Sequence, residues 1–90
     1  MRPHPNVVQL YGISTDGPNP VMIIEFCEGG SLDSKLYKAR VNLSLKSQLQ
    51  LISGIAKGLL HLHLNKIVHR DLAARNILLA HGKPKISVSD

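Results

Sequence analysis

Between Ile67 and Leu79 the chain reads IVHRDLAARNILL, which sets His69, Arg70, Asp71, Arg75 and Asn76 inside an otherwise apolar run. Charged groups are costly to bury unless they are paired or put to use, so this placement needs a reason. A carboxylate such as Asp71 can accept or orient the proton of an attacking hydroxyl. The side-chain amide of Asn76 offers a neutral oxygen that suits Mg2+. The Arg70 guanidinium suits a phosphate group. A surface loop between two core elements is the plainer reading of these residues, and a catalytic loop is the sharper one.

The flanking sequence must hold such groups in place. VVQLYGI (Val7 to Ile13) and VMIIEF (Val21 to Phe26) are rich in β-branched residues and are predicted as strands, the second one well buried. STDGPNP between them is a loop of turn-forming residues, so the pair is a predicted hairpin. Gly29 and Gly30 end the second strand, and Ser31 can cap a short helix over Leu32 to Ala39. Ser44 is a second N-cap candidate, for a long helix over Leu45 to Leu64. On that helix Leu45, Leu49, Ile52, Ala56, Leu59 and His63 recur at spacings of three and four, and Leu51, Ile55 and Leu62 widen the face. The pattern predicts burial on more than one side. Gly54 and Gly58 fit a close approach by a neighbouring element. ILLAHGKPKISVSD predicts two short strands about a turn at His81 to Pro84.

Ninety residues permit one small domain. An apolar fraction of 43% is ordinary for a globular chain and argues against wholesale disorder. The formal charge of +5 is scattered; Lys35, Lys38 and Arg40 come nearest to a cluster, with Lys46 and Lys57 further on. Basic and aromatic residues do not interleave, so no nucleic-acid partner is expected. The charge could serve phosphate-bearing ligands or an acidic partner segment. Cys27 is the single cysteine, which rules out an internal disulfide and fits a reducing compartment. No apolar run approaches transmembrane length and no secretory leader is evident, so no direct membrane contact is expected of this segment. The histidines lack the company of a zinc site: His61 and His63 are expected to pack or face solvent, and His4 to orient the turn at Pro5.

HRDLAARN resembles the catalytic loop of protein kinases, His-Arg-Asp followed four residues later by Asn. The resemblance continues, in the family's order, over nearly the whole chain. HPNVVQLYG resembles the turn and strand after the regulatory helix of the small lobe. VMIIEFCEGGSL resembles the strand, hinge and first large-lobe helix, and LSLKSQLQLISGIAKGLLHLH the long helix before the catalytic loop. The resemblance implies an α+β chain, a fragment of the bilobal kinase fold. Residues 1–26 would be small-lobe strands, 27–31 the hinge, and 32–90 the start of the large lobe through the catalytic loop and a metal-binding Asp. Ala73 stands where serine/threonine kinases usually carry Lys. With Arg75, this places the string in the tyrosine-kinase or tyrosine-kinase-like group, some of whose members phosphorylate Ser or Thr.

The same resemblance implies residue roles. Asp71 takes the catalytic-base position, Arg75 helps to place substrate, and Asn76 and Asp90 hold Mg2+. Ile24 is the gatekeeper, Glu25 and Cys27 offer a backbone carbonyl and N–H to adenine, Ser31 lies near the ribose, and Leu78 floors the ring. Leu10 and His69 join the internal stack between the lobes, with His69 acting structurally. ATP and Mg2+ are the implied cofactors and a protein hydroxyl the acceptor. A cytoplasmic setting is implied, whether for a free enzyme or for the inner part of a receptor. The stretch from Asn76 to Asp90 is one residue longer than the family's usual spacing. The ninety residues hold no Gly-rich phosphate loop, no strand lysine with its glutamate partner, and no Phe-Gly after Asp90. The expectation is an ATP-dependent protein kinase represented by a fragment that is inactive alone. The alternative is a catalytically dead chain that serves as an interaction module.

Overall fold

The computed structural model describes residues 2–38 and 42–88. Strands β1 (Leu10–Ser14) and β2 (Val21–Ile24) form one antiparallel hairpin, and β3 (Ile77–Ala80) and β4 (Lys83–Ile86) form another. Helix α1 (Leu45–Leu64) lies between them in sequence and packs on β4. The chain is mixed α+β, as expected.

The first hairpin is shorter than its apolar runs. Val7 does not belong to β1; it makes an isolated parallel bridge with Ile86, while the Val8 N–H donates to the Ile86 carbonyl at 2.9 Å. The chain can join β1 only after leaving β4, and a bulge between Leu10 and Gly12 takes up the shift in register. β2 stops at Ile24 rather than Phe26. Nor is it well buried: Val21 to Ile24 are all exposed, and Phe26 is 85% exposed. An apolar run records the capacity to be buried, and nothing among the described residues covers these side chains.

After Gly30 the Ser31 hydroxyl accepts from the Ser34 N–H at 3.1 Å, the expected cap. The following turn is helical but widens to a π-helix over Ser34–Lys38. Ala39, where the predicted helix ends, lies outside the described residues. α1 runs over the predicted span, and its Ser44 cap accepts from the Ser47 N–H at 3.1 Å.

α1 buries one side of the predicted face, that of Leu51, Ile55, Leu59 and Leu62, and not the other. Gly54, Gly58 and Leu62 are buried, flanked by half-buried Leu51, Ile55 and Leu59, whereas Leu45, Leu49, Ile52, Ala56 and His63 face outward. At 100° per residue the two stripes differ by roughly a third of a turn. Side-chain hydrophobicity does not register the glycines, yet they decide the contact. A Cβ on Gly54 would lie 2.5 Å from Pro84 Cγ, and one on Gly58 would lie 2.6 Å from the Asn6 carbonyl oxygen. Their absence lets α1 close on β4 and on the Asn6 backbone. Beneath this contact Val7, Leu32, Leu62, Ile77, Leu79 and Ile86 form the core, and Ile86 is fully buried.

Two further devices set geometry. α1 ends in a Schellman motif: the Ile67 N–H bonds the Leu62 carbonyl and the Lys66 N–H the His63 carbonyl, both at 2.9 Å, with Lys66 at φ 60°. The β3–β4 turn is tighter than His81 to Pro84, because His81 and Gly82 alone form it with φ of 52° and 76°. Two positive-φ residues are the mark of a two-residue hairpin loop whose twist matches its strands.

Two stability outcomes follow from these contacts. Gly58→Ala adds helix propensity of about 1 kcal/mol, but drives a carbon into a backbone oxygen that cannot turn aside. The net loss should be about 1–3 kcal/mol, read as a lower urea midpoint. Lys66→Gly relieves the left-handed conformation and should stabilise by about 1 kcal/mol, read as a higher midpoint.

Candidate active site

The Schellman turn sends the chain from α1 through Ile67, which packs on the core, into the polar loop. His69 is the first fixed point. Its Nδ1 accepts from the Asp71 N–H at 3.1 Å, so Nδ1 is bare and Nε2 carries the hydrogen. Nε2 donates to the Ser87 carbonyl at 2.8 Å. The ring therefore pins the Asp71 backbone to the chain just after β4. Ala73 is extended, and the 3-10 turn Ala74–Asn76 folds the chain back. The Asn76 carbonyl then accepts from the Ser87 N–H at 2.8 Å. Both polar groups of the Ser87 peptide unit are thus engaged by the loop.

This turn carries the Asn76 side chain back to Asp71. Its amide nitrogen donates to the Asp71 carbonyl at 2.6 Å and to Oδ2 at 3.2 Å. Both partners are acceptors, so the amide orientation is determined, and Oδ1 remains as a neutral donor for a cation. Arg75 Nη2 donates to Asp71 Oδ1, an i,i+4 ion pair with both side chains more than half exposed. Such a pair is screened by solvent and readily parted. The Arg75 hydrogen bond first, and the Asn76 one second, hold the Asp71 carboxyl below the ordinary carboxylate range. Asp71 is therefore ionised at neutral pH and a weak base. This suits it to orienting a hydroxyl by its charge rather than to storing a proton.

The residues expected around adenine come from three segments. Ile24 closes β2 opposite Leu10, with 43% of its surface exposed. The Glu25 N–H continues the ladder to the Gln9 carbonyl at 2.9 Å. The segment expected to be the hinge then docks on β3: the Gly29 N–H bonds the Leu79 carbonyl at 2.9 Å, and the Leu79 N–H the Gly30 carbonyl at 2.8 Å. Ser31 and Leu78 thereby become bridge partners. Among the described residues neither the Glu25 carbonyl nor the Cys27 N–H has a hydrogen-bond partner. Burial and the Glu25 charge raise the Cys27 thiol, so it is not an activated nucleophile.

Asp90 lies outside the described residues. Among those described, no three His, Cys, Asp or Glu side chains cluster as a metal cage. A carboxylate beside a carboxamide oxygen is nonetheless a hard-oxygen donor set of the kind Mg2+ accepts when phosphate and water complete its shell.

Some contacts that position the site are not legible in the sequence. Glu25 Oε2 pairs with Lys85 Nζ at 3.1 Å, with each side chain only 16% exposed, and Oε1 accepts from the Gln9 N–H at 2.8 Å. This ties the chain just after β2 to β4. The Ser87 peptide is a second case, since only its backbone takes part. No motif signals either one.

The chain matches, over residues 1–90, the family described as protein tyrosine and serine/threonine kinase. It is similar to the spermatocyte protein spe-8 of Caenorhabditis elegans, 36% identical over 87 residues, covering 97% of this chain and 17% of that protein. It is also similar to ephrin type-B receptor 5 of Gallus gallus, 48% identical over 77 residues, covering 84% of this chain and 8% of the receptor. Mitogen-activated protein kinase kinase kinase 13-B of Xenopus laevis is 36% identical over 87 residues, covering 97% and 9%. The chain thus spans a small part of the length of these relatives.

Because the Asp71 carboxyl is held down chiefly by Arg75, Arg75→Ala should move its titration midpoint up toward the ordinary carboxylate range. The sign is that of a depressed acid: the loop contacts it supports are present above the unfolded-state value and lost as pH falls through the lowered folded value. Carboxyl-carbon NMR titration reads the shift, and an unmoved midpoint would refute the assignment to Arg75.

Proposed function

This chain belongs to the protein tyrosine and serine/threonine kinase family, and from that premise we propose that it carries the hinge and catalytic loop of an enzyme moving the ATP γ-phosphate to a protein hydroxyl. The observation that carries this reading is the closed set of contacts among His69, Asp71, Asn76 and Ser87. It places an ionised carboxylate beside a neutral amide oxygen on a backbone anchored from two sides. Phosphoryl transfer depends on positioning and charge far more than on covalent chemistry, and this arrangement supplies the positioning.

In this reading Asp71 receives and orients the substrate hydroxyl, and Arg75 leaves Asp71 to line the substrate's approach. Asn76 Oδ1, with Asp90, would hold Mg2+. The chemistry that ion supplies when bound is neutralisation of charge on the transferring phosphate oxygens. The Glu25 carbonyl and Cys27 N–H would take the edge of adenine, with Leu78 beneath the ring, Ser31 toward the ribose, and Ile24 at the back. Arg75 together with Ala73 supports the tyrosine or tyrosine-kinase-like group, with a Tyr, Ser or Thr hydroxyl as acceptor. The half-buried thiol of Cys27 and the named kinase relatives support a cytoplasmic setting, free or as the inner part of a receptor. The alternative, a dead module that binds other proteins, draws on the exposed apolar side chains of β1, β2 and α1.

Phosphate transfer separates the two readings. In the full-length protein Asp71→Asn should lower kcat by about 10²–10⁴-fold while ATP binding stays within a few-fold. Equal turnover by wild type and variant would refute the proposal. The ninety residues expressed alone should give no Mg2+-dependent transfer, because half of the phosphate clamp is not among them.

A further inference from the structure

A groove of about 1190 Å³ runs between the first half of α1, the segment around Leu43 and the β3–β4 turn. It shares no residue with the candidate catalytic loop. Lys35, Lys46, Lys57 and Lys83 line it, and none of them forms an ion pair among the described residues. None of the described lining residues is a carboxylate. Glu28 stands beside it, accepting from the N–H of the lining residue His81. The acids Glu25 and Asp71 are engaged elsewhere, with Lys85 and Arg75.

The charge sits over an apolar floor. Leu45 and Leu49 are 70% and 57% exposed at the groove, and Leu79 and Pro84 lie at its base. Lys46, Gln50, Ser53 and Lys57 follow one another at spacings of four and three, so a single face of α1 presents cation, polar groups and cation in line. The two helix lysines stand about 16 Å apart along the axis, a span that about five extended residues cover.

We infer that this groove docks an extended acidic segment with apolar residues between its carboxylates, supplied by a partner protein. Charge complementarity selects the acid, and the exposed leucines select the interleaved apolar groups. The volume exceeds the about 300–1,000 Å³ of small-ligand pockets, which favours a peptide. A concave wall disfavours a flat lipid surface. The lining has no Phe, Tyr or Trp on which a base could stack, its rings being those of His4 and His81, which disfavours single-stranded nucleic acid. The inference stands apart from the catalytic reading, because docking here needs neither ATP nor Asp71.

The test is fluorescence anisotropy of a labelled peptide of alternating Glu and Leu, titrated with the full-length protein at physiological salt. Binding should weaken by about tenfold or more in the double variant Lys46→Glu/Lys57→Glu, and a peptide with Lys in place of Glu should not bind. Both lysines are exposed, and unchanged circular dichroism and ATP affinity would show that the variant is folded. In the wild type, hydrogen exchange should slow over residues 43–57 and 81–84 when the peptide is added. The inference falls if the double variant binds the Glu-Leu peptide as well as wild type does, or if exchange slows elsewhere. It falls equally if oligo-dT or vesicles containing phosphatidylserine bind more tightly than the peptide and lose that binding in the same variant.

Discussion

The structure depends on one close approach, that of the α1 backbone at Gly54 and Gly58 to Asn6 and β4. Asn6 is buried and bonded through three groups: its carbonyl accepts from the Ile86 N–H at 2.8 Å, its Nδ2 donates to the Pro84 carbonyl at 3.0 Å, and its N–H donates to His4 Nδ1 at 3.0 Å. The same carbonyl oxygen occupies the space a side chain at position 58 would need. Two helix-interior glycines weaken the isolated helix, and the contact they permit outweighs that loss because it closes the core over Asn6 and β4.

From that contact order propagates along β4 to the candidate catalytic loop. Ile86 is locked by Asn6 and Val8 on one side and by Ile77 on the other, which fixes Ser87 beyond it. The Ser87 peptide unit then holds His69 through its carbonyl and Asn76 through its N–H. Asp71, between them, is placed by backbone bonds at both ends although its own side chain is exposed. The strand also carries Lys85 to Glu25, so one short strand sets both the Asp71 loop and the segment after β2. A half-buried pair of this kind specifies a geometry more than it adds stability, because desolvation offsets much of the attraction.

His4 extends the logic to the start of the chain. Its ring lies 4.8 Å from that of His61, and His61 Nε2 reaches the Arg2 carbonyl at 2.8 Å. Burial, then the His61 and Lys57 charges, lower the His4 pKa, which keeps Nδ1 bare to receive the Asn6 N–H. His4 and His61 thus serve as fittings of the entry turn.

The local features were legible in the sequence because local chemistry determines them. Ser44 caps α1 wherever α1 packs, His81-Gly82 makes a tight turn from its own backbone preferences, and the spacing within HRDLAARN lets one short turn return Asn76 to Asp71. The hairpins and the family resemblance were readable for the same reason. What the tertiary structure alone decided is which faces meet. It buried the side of α1 that carries Gly54 and Gly58 and left Leu45, Leu49 and Ile52 outward, because close packing rewards the absence of a side chain and a hydropathy pattern cannot count an absence. It took Val7 from β1 and gave it to β4, and it left β2 exposed where its composition promised burial. It joined Glu25 to Lys85, and His69 and Asn76 to Ser87, through charges and peptide groups that are common along any chain. Only the three-dimensional path of the backbone selects which of them become partners.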